Sequence, residues 1–151
     1  MRLSSIPVGT EAPRVVHAVI EIPQGSWNKY EYNPALDAFV LDRVLFSPLC
    51  YPTEYGWIAG TLSEDGNPLG ALVFVSHPTF PGCFMRVRPV GVFYVHEEEA
   101  EGLKIIAVAD TDPAYGDATA LGDLPAQALR EIKHFLSMYK QLERKATAVL
   151  R

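Results

Sequence analysis

Apolar residues along this chain gather into short runs, and the spacing inside each run sorts most of them into strands. Residues 15–22 (VVHAVIEI) are almost continuously apolar, broken only by His17 and Glu21 and stopped by Pro23, which predicts a buried strand. After the turn Pro23-Gln24-Gly25-Ser26, residues 28–32 alternate polar and aromatic side chains at period two, the pattern of a second strand. Residues 38–45 (AFVLDRVL) predict a third strand with Asp42 and Arg43 set inside it, and residues 71–75 (ALVFV) a strand buried on both faces. Residues 83–95 predict one or two strands broken at Pro89–Gly91, and residues 103–108 a further one. The stretch 47–57 is too rich in Pro and Gly for a helix and is expected to connect. The period changes only near the end, where Leu129, Ile132, His134–Leu136, Tyr139 and Leu142 recur at helical spacing. Asp123 is the expected N-cap of that helix, with Pro125 in its first turn.

A run of strands followed by an amphipathic helix predicts an α+β chain, mainly β: an OB-like closed β-barrel with flanking helices. The length of 151 residues fits one domain, with no internal repeat or linker, and 48% hydrophobic against 21% charged residues fits a globular protein. A formal net charge of −5 argues against non-specific nucleic-acid binding, which needs a basic footprint. The sequence holds no apolar run near the ~18 residues of a membrane span, and no signal-peptide core follows Met1. Cys50 and Cys83 sit among apolar residues without metal-ligand spacing, and are expected to be buried free thiols of a cytoplasmic protein.

Candidate chemistry starts at the loop Ser63-Glu64-Asp65-Gly66-Asn67-Pro68-Leu69-Gly70, just ahead of the apolar run at 71. Carboxylates on a loop punctuated by Gly and Pro suit a hard cation that prefers oxygen ligands. Glu21, Arg43, Arg86, Arg88 and Lys104 sit inside apolar strands, where an unpaired charge is costly. Lys29 and Glu31 share one face of their strand, and a barrel mouth lined by Lys, Arg and carboxylate would hold an anion with its counter-cations. His17 and His134 are expected to pack or face solvent.

Taken together, Ile20-Glu21-Ile22-Pro23, Lys29-Tyr30-Glu31, Asp42-Arg43, Tyr51-Pro52, Tyr55-Gly56, Asp65-Gly66-x-Pro68, Arg88-Pro89-Val90-Gly91, Lys104 and Tyr139-Lys140 resemble the soluble family I inorganic pyrophosphatases. The resemblance runs from about Val15 to Glu143 and makes residues 1–151 a single domain of that kind. It implies Mg²⁺-dependent hydrolysis of pyrophosphate to two phosphates in a homo-oligomer, a trimer or hexamer. Such catalysis rests on positioning and charge neutralisation. It implies Lys29, Arg43, Tyr139 and Lys140 on phosphate oxygens, and Tyr51 and Tyr55 around nucleophile and substrate. Asp65 is the implied inner metal ligand, Glu21, Glu31, Glu97 and Glu98 are outer carboxylates, and Lys104 is a charge partner beside them.

The family pattern Asp-x-Asp-Pro-x-Asp is incomplete here. Asn67 stands at the base position, and Gly70 and Gly102 stand where metal-ligand aspartates are expected. An Asn side chain accepts no proton at neutral pH and glycine offers no ligand. The expectation is therefore a site inactive or severely impaired, binding Mg²⁺ weakly or not at all, with basic residues left to bind pyrophosphate or phosphate. Such a chain would serve as an anion binder or as the partner of an intact paralogue. The alternative is an active diphosphatase with a rearranged carboxylate and metal set, recruiting for instance Glu64, Glu98 or Glu99. Family members also commonly continue into a further helical tail, which bears on oligomer contacts.

Overall fold

The computed structural model describes residues 2–97, 100–139, 142 and 147–149, the side chains of 97, 100, 101 and 147–149 excepted. Its strands are β1 (Val16–Ile22), β2 (Asn28–Asn33), β3 (Ala38–Val44), β4 (Glu54–Ile58), β5 (Gly70–Phe74), β6 (Phe84–Glu97), β7 (Ala100–Ala109) and β8 (Thr147–Val149). One α-helix, α1 (Ala126–Met138), and short 3₁₀ turns complete the described residues. The fold is thus mainly β, with one α-helix among the described residues.

The main sheet runs β1-β4-β5-β7-β6-β8, and β1 also pairs with β6. Only the β5–β7 ladder is parallel, and β2 and β3 form a separate antiparallel hairpin. Both faces of the central strands are covered, which explains their unbroken apolar runs. On one side Val16, Ala18, Ile20, Ala71, Val73, Val87 and Ala107 pack together. On the other, Leu72, Phe74, Ile106 and Val108 meet Ile132, Phe135 and Leu136 of α1. The site described below is the polar end of that second, helix-covered face.

The structure refines the sequence reading in several places. The connection at 47–57 contains β4, whose Gly56 packs against β1 so closely that a Cβ there would lie 1.9 Å from the Val19 carbonyl oxygen. Residues 84–97 form one strand, the first of the two expected possibilities, with a register shift between Pro89 and Gly91 that accommodates the proline. Asp123 does not cap α1: its carboxylate accepts from the amides of Thr119 (2.9 Å) and Ala120 (3.1 Å), while Pro125 precedes the helix with no side-chain cap. Both cysteines are free as expected, but half-buried rather than buried.

Candidate functional site

Alternation along the strands gathers the site. Tyr55 on β4 is opposite Leu72 on β5, so it shares a face with Gly70, two residues earlier. Gly70 is opposite Lys104 on β7, and Gly102 shares the face of Lys104. The Lys104 Nζ lies 3.0 Å from the Tyr55 Oη and 5.3 Å from the centre of its ring, a hydrogen bond and a cation–π contact together.

Aromatic packing carries the next group. Phe135 and Tyr139 at the end of α1 stack with ring centres 4.7 Å apart, and Tyr51 packs on Phe135 at 4.6 Å. Tyr51 is 6.1 Å from Tyr55 and 6.2 Å from Tyr139, ring centre to ring centre. Burial pushes the Tyr51 phenol well above its ordinary range, with Tyr139 and Tyr55 adding to the effect. It stays a neutral hydrogen-bond donor at any physiological pH.

A bulge sets the cationic pair. Lys29 pairs with Arg43 and Tyr30 with Leu41, which leaves Asp42 as the extra residue of β3. Asp42 Oδ2 accepts from Arg43 and lies 3.5 Å from the Lys29 Nζ. Burial works against the charged Asp42 carboxylate, but Lys29 and Arg43 outweigh it and hold its pKa below the usual range. Asp42 therefore offsets one of the two positive charges that Lys29 and Arg43 bring to the cleft. A carboxylate that sequence reasoning did not assign to the site already answers both cations. Its signal was adjacency to Arg43, which a regular strand would have pointed the opposite way.

Glu21 occupies the register shift of β1 between Ile20 and Ile22, which turns its side chain toward the hairpin. Its Oε2 accepts from the Tyr32 amide at 3.0 Å. Burial raises its pKa above the ordinary carboxylate value, opposed by the Tyr32 amide and by Lys29, while Glu31 adds to the rise and Lys104 lowers it. Glu21, Glu31, Lys29 and Lys104 thus share one electrostatic neighbourhood.

Asp65 is exposed, and its Oδ1 accepts from the Ser63 hydroxyl and from the Asn67 amide at 2.9 Å. Those two hydrogen bonds, the Ser63 one foremost, hold its pKa below the usual range, and the charge of Lys104 adds to the effect. Glu97 is described only by its backbone, and Glu98 and Lys140 lie outside the described residues. Among the described residues no three His, Cys, Asp or Glu side chains converge on a point that would hold a metal. With no donor at Gly70 or Gly102, the described side chains do not fit a two-ion centre. His17 behaves as expected of a packing residue: its Nδ1 lies 2.8 Å from the Pro7 carbonyl oxygen and its ring meets Phe84.

Comparison with known proteins shows the family and the fold. The family described as Inorganic pyrophosphatase matches residues 18–151. The inorganic pyrophosphatase of Halalkalibacterium halodurans is 51% identical over 137 residues, covering 91% of this chain and 84% of that protein. That of Thermus thermophilus is 47% identical over 143 residues, covering 95% and 82%. The crystal structure of the Thermus thermophilus enzyme superimposes with a TM-score of 0.97 at 44% identity, over 100% of this chain and 88% of that one. An inorganic pyrophosphatase structure from Schistosoma japonicum, at 18% identity and a TM-score of 0.82, shares the fold. The chain belongs to the soluble family I inorganic pyrophosphatases.

Proposed function

We propose that this chain takes pyrophosphate as its ligand and acts on it as an inorganic diphosphatase through a rearranged set of carboxylates. The observation that carries the reading is the convergence of Lys29, Arg43, Tyr51, Tyr55, Lys104 and Tyr139 at one end of the helix-covered face. The names carried by relatives at 51% and 47% identity favour turnover over its loss. Lys29, Arg43 and Tyr139 would bind phosphate oxygens, a role the family resemblance extends to Lys140, and Lys104 would offset charge on the leaving phosphate. Tyr51 and Tyr55 would donate hydrogen bonds around the attacking water. Water adds to one phosphorus, the bridging P–O bond breaks, and two phosphates leave. With an amide at position 67, the water's proton passes to another carboxylate: Glu21, Glu31 or the acidic turn at 97–99.

The same reading includes a closed OB-like barrel, since the pairings β1-β4-β5-β7-β6 return to β1. It also includes Mg²⁺ as the family's ion, a cytoplasmic location and a homo-oligomer, trimer or hexamer, which light scattering in solution would test.

A second reading, binding without turnover, is favoured by Asn67, Gly70 and Gly102 at the positions where the family pattern expects aspartate. Phosphate release from pyrophosphate with Mg²⁺ or Mn²⁺ separates the two, using protein freed of host diphosphatase. Chelator-sensitive turnover supports the first reading. Silence with retained pyrophosphate binding supports the second.

A further inference from the structure

Lys104 stands between two positions that carry no side chain. Gly70 faces it across the parallel ladder and Gly102 precedes it on the same face of β7. A Cβ built on Gly70 would come within 3.3 Å of the Lys104 Nζ and Cδ and 3.0 Å of the Tyr55 Oη, whereas at Gly102 it would meet nothing within 4 Å. The ammonium therefore borders the space that a side chain at 70 would fill. Among the described residues, Glu21 and Asp65 are carboxylates whose charge couples to it, the first half-buried and accepting from the Tyr32 amide, the second accepting from its own loop. Lys29 and Arg43 lie on the hairpin beyond Glu21, answered by Asp42.

Resting on the reading of this cleft as a pyrophosphate site, we propose that the Lys104 ammonium takes over, at the Gly70 corner, the charge-neutralising place of a divalent ion. A condensed phosphate is then held there by Lys104 and the Tyr55 hydroxyl without a metal. The physical basis is simple. A divalent ion needs carboxylates to hold it against its own hydration, and this corner supplies none on residues 70 or 102. An ammonium is tethered covalently, offers three donors and needs no such cage. The phosphate must displace Asp42 from Lys29 and Arg43, so the affinity without metal is set by that exchange as well as by Lys104.

Isothermal titration with pyrophosphate, in EDTA and separately in Mg²⁺, tests this. The unaltered chain is expected to bind in EDTA. Lys104→Met should weaken that binding by about tenfold or more, and Lys104→Arg should recover most of it. Gly70→Asp sets a carboxylate beside the ammonium, and should weaken binding in EDTA by about tenfold while leaving a Mg²⁺-dependent component. Binding seen only with Mg²⁺, or a Lys104→Met protein that binds in EDTA as the unaltered chain does, overturns the inference and leaves the pyrophosphate reading standing. Absence of binding in both buffers overturns both. Circular dichroism and thermal unfolding check that each variant is folded; should Lys104→Met fail to fold, Gly70→Asp decides.

Discussion

Asn67→Asp, Gly70→Asp and Gly102→Asp introduced together are expected to raise kcat for divalent-dependent pyrophosphate hydrolysis by about 10² to 10⁴, the usual contribution of a positioned general base that has its metal ligands beside it. The structure admits the change. Neither glycine needs a left-handed backbone, and both lie in strands. At Gly70 the new Cβ meets only the far ends of Tyr55 and Lys104, which can shift by a few tenths of an ångström; at Gly102 the space is open. Glycine inside a strand is itself worse than Ala by about 0.5–1 kcal/mol, and Asp is a poor strand former on a scale spanning ~1 kcal/mol. The two effects oppose, and pairing of the new carboxylate at position 70 with Lys104, at the mouth of the cleft, adds at most about 1 kcal/mol. Each replacement should therefore change stability by less than about 1 kcal/mol, a shift in Tm of roughly 2–4 °C for a domain of this size. Phosphate release with Mg²⁺ or Mn²⁺ and an EDTA control is the assay. The single variants should gain far less than the triple, because base and ligands act as a unit. A triple variant that folds, binds pyrophosphate and gains less than tenfold would refute the assignment of these three positions to the acid set.

Other expectations concern the scaffold. Glu54 is fully buried, and its carboxylate accepts from the amides of Gln24 and Thr79 and from the Thr79 hydroxyl, so Glu54→Ala should cost about 3 kcal/mol in urea unfolding. A loss under about 1 kcal/mol would contradict that clamp. Arg88, only 15% exposed, donates to Asp110 at 2.9 Å and to the carbonyls of Tyr115 and Ala118; Arg88→Ala should cost about 2–3 kcal/mol and loosen the 115–118 loop to hydrogen exchange. For Glu21, whose folded pKa is raised by burial, the folded state binds a proton more tightly than the unfolded chain. That contribution to stability is complete below the ordinary value of 4.5 and is lost as pH rises through the folded pKa. Glu21→Gln should remove this slope from a series of unfolding curves between acid and neutral pH; an unchanged slope would place the titration elsewhere.

The sequence made the strands legible wherever both faces are apolar. Residues 71–75 and 103–108 lie between two cores, so a continuous hydrophobic run was a sufficient signal. β4 was hidden because its Gly56 looks like a turn residue, although the glycine is there to let the strand approach β1. Helical periodicity found α1, but the cap was misplaced: Asp123 satisfies amides on its N-terminal side and closes a 3₁₀ turn instead.

At the site, identity and arrangement came from different sources. The residue types at 29, 43, 51, 55, 65, 104 and 139 were readable one by one, yet they are scattered over β2, β3, β4, β7, two loops and the helix end, and only the sheet order brings them together. Asp42 shows the limit most clearly. Period-two alternation would place it on the face opposite Arg43, whereas a single extra residue in β3 lets the two side chains meet. A bulge leaves no composition signal, so the charge balance of the cleft cannot be summed from the sequence. With Asp42 spanning Lys29 and Arg43, one of their two positive charges is offset. On the proposed reading an incoming phosphate must gain more from the two cations, Lys104 and the tyrosines than Asp42 gives up, so pyrophosphate is expected to bind more tightly than singly charged anions, which titration with nitrate, phosphate and pyrophosphate in turn would check.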